Sequence, residues 1–211
     1  MEKENSRQII ITVGREHGSG GHFIAQEIAN NLGIKLYDKD IVEGTVELSG
    51  YSREFIEKMD EKPVNVLFSR RIGEFSNSLE ENVAHKVFEY IHTIAEKGES
   101  FVIVGRCAES VLRHYPHVIS VFISGDKEDK IDRIKRLYEL DTQKAADRIK
   151  KVDFKRKHYH NYYSDFKWGD SRGYDILINS SRIGIENTAK CLTSYIHSYM
   201  EVKGIHLNGE A

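Results

Sequence analysis

The sequence predicts an α/β fold: a parallel sheet covered by helices on both faces, in three α/β/α layers. Three observations carry this. Short apolar runs alternate with longer segments whose apolar residues recur at helical spacing. Most of those runs are continuous rather than alternating, the mark of strands buried on both faces. The first run also passes into a helical segment through a glycine-rich turn, GREHGSGG.

The elements follow in order. Residues 8–13 (QIIITV) are a β-branched run ended by Gly14, which reads as a buried strand. After the glycine turn, Ile24, Ala25, Ile28, Ala29 and Leu32 mark one helix face, and Gly33 stands where a C-cap belongs. Residues 34–37 form a brief second strand closed by Asp38. Residues 39–60 read as helical but broken, with Gly44 and Gly50 as the punctuation. Residues 62–78 have no period and read as an extended or mobile loop. From Leu79, the positions Val83, Val87, Ile91, Ile94 and Ala95 make a helical stripe stopped at Gly98. Strands at 101–104 (FVIV) and 118–123 (VISVFI) end at Gly105 and Gly125. Two charged helical segments follow, 127–140 and 142–166. Residues 174–178 (YDILI) are the last strand, and Ile185, Ala189, Leu192, Ile196 and Met200 give a closing helix. There is no internal repeat. The charged stretch 127–167 breaks the alternation and reads as a lid-like insert within one domain spanning 1–211.

Composition narrows the function classes. Thirty-one basic residues face 33 acidic ones, a formal charge of -2. That weighs against a dedicated nucleic-acid binder, whose usual footprint is a basic excess. The two cysteines, Cys107 and Cys191, lie far apart and make no disulfide framework, which points to a reducing, cytoplasmic compartment. No apolar run reaches the ~20 residues of a membrane span, and residues 1–7 lack the apolar stretch of a signal peptide. The expectation is a soluble protein with neither membrane nor nucleic acid as partner.

The glycine turn is the most informative local signal. Glycines let backbone N–H groups converge, and the helix N-terminus that follows adds a positive end. Gly14, Gly18, Ser19, Gly20, Gly21 and His22 are therefore the candidate phosphate-binding residues. The alternative is a tight strand-to-helix connection with no ligand. The turn is not a regular Walker A loop, GxxxxGK[ST]. Matching Gly20 to the last glycine of that motif puts Gly21 at the lysine and His22 at the metal-binding hydroxyl. Another cation must compensate, and Arg15 is the nearest.

IITVGREHGSGG followed by GIKLYDKDI resembles the N-terminal portion of the cytidylate kinase-like proteins, a divergent branch of the P-loop nucleoside monophosphate kinases. FVIVGRCAE continues the resemblance, as do Asp153, Phe154, Lys155, Arg156, Tyr159, Tyr162, Tyr163 and Trp168. YDILINSSRIGIE, with Tyr174, Asp175 and Asn179, completes it. It covers roughly residues 9–196. The resemblance implies a five-stranded parallel sheet, a monophosphate-binding segment over about 38–79 and an arginine-bearing lid over about 127–167. It further implies ATP as phosphoryl donor, magnesium, and CMP or dCMP as acceptor.

The remaining candidates each carry two readings. Arg106 follows a strand at the sheet edge where ligands bind. It can grip a phosphate with its guanidinium fork or cover the next helix. Arg133 and Arg136 are three apart and share a helix face, with Arg148 and Arg156 on the next segment. Together with Arg15 they are the candidate catalytic cations; the alternative is solvated faces paired with Glu128, Asp132, Glu139 and Asp147. Asp153 and Arg156 can form an ion pair or contact ligand. Asp38 can meet the acceptor or cap the following helix. Asp38, Arg106 and Asp153 are the acceptor-side candidates. Glu16 needs an arginine partner or magnesium beside phosphate, and His22 can donate to phosphate when protonated. Tyr159, Tyr162 and Tyr163 can pack the lid against the sheet, with stacking on a base as the alternative. His158 and His160 read as an exposed helical pair with no third ligand at zinc spacing, so no metal site is assigned. The expected activity is phosphoryl transfer from ATP to a nucleoside monophosphate or related small acceptor, by a monomer or homodimer. The alternative is a nucleotide-binding module of kinase fold that has lost transfer.

Overall fold

The computed structural model describes residues 8–64, 71–72, 75–76 and 78–207. In chain order the elements are β1 (Ile10–Arg15), α1 (Gly21–Leu32), β2 (Lys35–Tyr37), α2 (Asp40–Ser49) and α3 (Arg53–Met59). A two-stranded antiparallel pair, β3 (Arg71–Ile72) and β4 (Phe75–Ser76), comes next. Then follow α4 (Leu79–Ala95), β5 (Phe101–Val104), α5 (Ala108–Val111), β6 (Val118–Ser124), α6 (Lys127–Tyr138), α7 (Thr142–Tyr163), β7 (Ile176–Asn179) and α8 (Gly184–Lys203).

Five strands form one sheet in the order β2-β5-β1-β6-β7, and every pairing in it is parallel. Ile10 of the central β1 stands opposite Phe101 of β5 and Val118 of β6. Alternate residues of β1, together with Ile9 just before it, feed two cores. Ile9, Ile11 and Val13 pack with Ile24 and Ile28 of α1 and with Leu192 and Ile196 of α8. Ile10, Phe101 and Ile103 face the other way, onto Ile41, Ile56, Val87 and Ile91 of α2, α3 and α4. Each such buried side chain contributes roughly 1.5–3 kcal/mol over its exposed state. The continuous apolar strands are thus explained by helices on both sides, as the sequence predicts.

Helix ends follow local chemistry. Gly33 and Gly50 close α1 and α2 in the left-handed conformation. Ser52, Ser78 and Asp141 cap α3, α4 and α7, each accepting a hydrogen bond from a first-turn N–H.

Several expectations need correction. Gly44 does not interrupt its helix but lies inside α2. The Tyr90 ring of α4 occupies the space a Cβ there would take, so this glycine serves close helix packing. The short α5 was not expected; four residues are too few to show a period. The last strand begins at Ile176 rather than 174, and α7 ends at Tyr163 rather than near 166. Of the aperiodic stretch 62–78, residues 65–70, 73, 74 and 77 lie outside the described residues, and the described part contains the β3–β4 pair. Among the described residues, no helix is long and apolar enough to cross a membrane.

Candidate active site

The parallel topology brings the loops after β1, β2, β5 and β6 to one edge of the sheet, where open α/β folds place ligands. The turn after β1 is held from several sides. Gly18 and Gly20 are left-handed, with φ of 86° and 84°. Ser19 Oγ donates to Glu16 O at 2.9 Å, and Ser180 Oγ donates to Ser19 O at 2.6 Å. Glu16 Oε2 accepts from Lys130 Nζ at 2.8 Å and from the Gly125 N–H at 3.2 Å. Arg133 of α6 donates to Gly18 O. Asp153 Oδ1 of α7 accepts from the His17 N–H at 2.6 Å. Both α6 and α7 therefore touch the glycine turn directly.

A second network lies beside it. Arg15 Nη1 donates to Glu61 Oε1 at 3.2 Å, and the Arg106 N–H donates to the same oxygen at 3.0 Å. Arg156 Nε lies 3.8 Å from Glu61 Oε2, while its Nη1 donates to Arg15 O at 3.2 Å. Arg106 Nη1 donates to Asp38 Oδ1 at 2.7 Å and to Val104 O at 3.0 Å, and Nη2 donates to Asp60 Oδ2 at 2.8 Å. Asp38 Oδ2 lies 2.9 Å from His22 Nδ1. Gly105, at φ 77°, permits this crowding: a Cβ there would collide with Arg15 Nη1 and the Glu61 carboxylate.

Between the turn and α6 lies a cleft of about 360 Å³, lined by Arg15, His17, His22, Asp38, Arg133 and Arg156 among others. Its electrostatics are set by burial against neighbouring charge. Burial alone would raise the Glu61 carboxyl, but Arg15, Arg106 and Arg156 reverse this and hold it well below its usual range. Burial also opposes Asp38, which Arg106 and Arg15 bring below its usual value. Arg106 stays charged because Asp60 and Glu61 outweigh its burial. Arg156 falls to about 10 through burial and the neighbouring Arg15 charge. Burial raises Asp153 to about 6. His17 drops to about 4 through burial and then the charges of Arg156, Arg148 and Arg15.

The sequence candidates divide. Arg15, Arg133, Arg156, Gly18, Gly20, Gly21, His22 and Asp38 all border the cleft. Ser19 is fully buried and shapes the turn from behind. Gly14 faces the Phe122 and Tyr174 rings, which a Cβ would crowd at 2.9 and 3.1 Å. Arg136 and Arg148 are exposed: Arg136 Nε donates to Asp132 O at 3.2 Å, and Arg148 stacks on the Tyr138 ring at 3.8 Å. Arg136 does not share the working face of Arg133. At about 100° per residue, Lys130, Ile134 and Leu137 face the turn, Arg133 flanks them, and Arg136 falls beyond. Arg106 spends its side-chain donors on Asp38, Asp60 and Val104 O. Asp38 caps no helix, since the N-cap of α2 is Lys39. Asp153 and Arg156 do not pair with each other; one holds the His17 N–H and the other reaches Arg15 O. Glu16 finds a lysine rather than an arginine.

Two further expectations are corrected. His160 is not an exposed partner of His158 but is 5% exposed, with Nε2 at 2.6 Å from Glu109 Oε1. Tyr159 packs against Ala84 and Cys107, on α4 and the start of α5, rather than on the sheet. Sequence reasoning missed Asp60, Glu61 and Lys130. The first two follow α3 in a stretch without periodicity. Lys130 carried a signal in its spacing of three from Arg133.

Known proteins resemble this chain in sequence and in fold. The cytidylate kinase of Saccharolobus islandicus is 22% identical over 190 residues, covering 90% of this chain and 92% of that protein. An uncharacterized protein from Eubacterium ventriosum is 36% identical with a TM-score of 0.70, over 90% of this chain and 99% of that one. Shikimate kinase from Bacteroides thetaiotaomicron, 14% identical, shares the fold with a TM-score of 0.53 over 90% of this chain and 98% of its own. The family model matches residues 10–182, through the glycine turn, the β5 edge and both long helices that reach the turn, and the chain belongs to the cytidylate kinase-like family.

Proposed function

We propose that this protein is a nucleotide kinase that transfers the terminal phosphoryl group of ATP to a cytidylate-like nucleoside monophosphate. The observation that carries the reading is convergence: Arg15 from β1, Arg133 from α6 and Arg156 from α7 border one cleft with the glycine turn. Phosphoryl transfer depends almost wholly on positioning and charge stabilisation. Three guanidinium groups supply the charge that the absent loop lysine would have given.

In this reading the N–H groups of the turn and the α1 N-terminus receive the donor phosphates. Asp38, Arg106 and Asp153 form the acceptor side, with Asp60 and Glu61 holding Arg106. An acceptor phosphate oxygen attacks the γ-phosphorus in line, the bond to the bridging oxygen breaks, and ADP leaves. The pair α6–α7 acts as the lid that excludes water and aligns the two substrates. Glu16 and Asp38 are the carboxylates bordering the cleft, a number that suits magnesium held jointly with phosphate oxygens. Magnesium, when bound there, would supply positive charge to the transferring phosphoryl group.

A specific observation favours the alternative of a module that binds without transfer: Arg106 has its donors engaged by Asp38, Asp60 and Val104 O. One experiment separates the two. The protein is incubated with ATP, magnesium and CMP, dCMP, UMP, AMP or GMP, following ADP formation and nucleotide binding together. ADP formation that depends on CMP or dCMP is expected. Binding with no transfer to any acceptor would overturn the kinase reading.

A further inference from the structure

Three ligand-type side chains meet in the interior behind the cleft. Cys107, Glu109 and His160 are buried, and one potential ligand atom from each lies within 4.8 Å of the others. Cys107 sits at the N-cap of α5 with φ of 56°, and Glu109 is in the first turn of that helix. His160 comes from the last turn of α7. The cluster therefore joins α7 to the β5–α5 junction.

Its polar groups are incompletely used. His160 Nε2 lies 2.6 Å from Glu109 Oε1 and 3.3 Å from the Tyr174 hydroxyl. His160 Nδ1 is buried with no hydrogen-bond partner among the described residues. A cavity of about 10 Å³ is lined by Cys107, Glu109, His160 and Tyr174 among others. That is space for about one water-sized centre.

We propose that Cys107, Glu109 and His160 form a binding site for one zinc ion, with the fourth position open toward Tyr174. Thiolate, carboxylate and imidazole are the three ligand types zinc takes. In a tetrahedral site with bonds of about 2.0–2.3 Å, ligand atoms stand roughly 3.3–3.6 Å apart. The Glu109–His160 pair, now at 2.6 Å, must open by roughly 0.7 Å on those bond lengths. The sulfur ligand disfavours magnesium and calcium, which take oxygen. One thiolate and one carboxylate balance the dication, so the loaded cluster adds no net charge beside Arg15, Arg106 and Arg156, which line the same cavity. On binding, the Sγ–H bond breaks, its proton leaves to solvent and its electron pair becomes the metal bond. A ring nitrogen of His160 gives its lone pair while the ring's one proton stays on the other. His160 follows Arg156 by four residues on α7. A bound ion thus fixes the turn of α7 that carries Arg156.

The test uses the full chain, reduced and stripped with a chelator, then titrated with Co²⁺ and with Zn²⁺. One equivalent of Co²⁺ is expected to bind with a thiolate-to-cobalt charge-transfer band, and Zn²⁺ to displace it. Cys107→Ser should abolish that band, His160→Gln should weaken binding by at least about tenfold, and Cys191→Ser should leave both unchanged. A wild-type spectrum without the band, the same band in Cys107→Ser, or its loss in Cys191→Ser would overturn the site. If a cluster variant does not fold, the wild-type protein still decides. Zn²⁺ should release protons and raise the thermal midpoint, and absence of both refutes the proposal.

Discussion

Arg15 at the end of β1 and Glu61 beyond α3 share a hydrogen bond of 3.2 Å across 46 residues of sequence. Glu61 is the common acceptor for Arg15 and the Arg106 N–H, and its second oxygen faces Arg156. Removing the carboxylate leaves buried Arg106 and the partly buried Arg15 and Arg156 with only Asp38 and Asp60 nearby. Breaking a buried charge pair by deleting one partner costs roughly 3–5 kcal/mol. Because Arg15 and Glu61 are only partly buried, Glu61→Ala is expected to lower stability in urea unfolding by less than that, about 1–3 kcal/mol, with a smaller loss for Glu61→Gln, which keeps an acceptor oxygen. Equal stability of wild type and Glu61→Ala would show that the arginines do not depend on it.

Arg133 and Arg136 offer a paired comparison on one helix. Arg133 borders the cleft and reaches the glycine turn, whereas Arg136 is exposed and bonded to its own helix backbone. If the cleft performs phosphoryl transfer, loss of a charge-stabilising donor costs roughly 10²–10³-fold in turnover. Arg133→Ala is expected to show that loss, and Arg136→Ala to stay close to wild type. Similar rates for the two variants would remove Arg133 from the machinery.

His17 and Asp153 touch through one hydrogen bond and titrate in opposite senses. The His17 ring falls from 6.5 to about 4 on folding. The unfolded chain therefore binds more protons between those values, and this contribution to stability is lost as pH falls through that window. Asp153 rises from 3.8 to about 6 on folding. The native state binds more protons there, so its contribution declines as pH rises from about 4 to 6. His17→Gln should flatten the loss of stability on acidification from neutral pH. Asp153→Asn, which keeps an acceptor for the His17 N–H, should steepen it. Denaturant midpoints measured at several pH values between neutral and mildly acid check both slopes, and matching slopes in the two variants would contradict the assignment.

Much of the fold was legible because burial writes its own period. Ile24, Ile28 and Leu32 mark the α1 face, and the unbroken run 101–104 marks a strand covered on both sides. The turn was legible because glycine clusters are rare without backbone need. The site was less so. Arg106 reads equally well as a phosphate clamp until Asp38 and Asp60 are seen to fill its fork. Glu61 and the Cys107–Glu109–His160 cluster depend on contacts between elements far apart in sequence, and no local spacing encodes such contacts. Gly44 was misread for a related reason: a glycine in a helix looks like a break until the neighbour that needs the space is known.

That neighbour is Tyr90, and the pair gives a stability prediction independent of any catalytic role. The Tyr90 ring stands where a side chain at Gly44 would project, between the packed α2 and α4. In an isolated helix, Gly→Ala stabilises by about 1 kcal/mol, because alanine has the higher propensity. Here the added methyl must displace a ring packed against the core, and overpacking costs roughly 1–3 kcal/mol. Gly44→Ala is expected to destabilise the protein despite its better propensity. In the background of Tyr90→Ala, where the ring is gone, the same substitution should become neutral or stabilising. A double-mutant cycle measures the coupling. A Gly44→Ala effect of the same sign and size in both backgrounds would show that the glycine is there for some reason other than the ring.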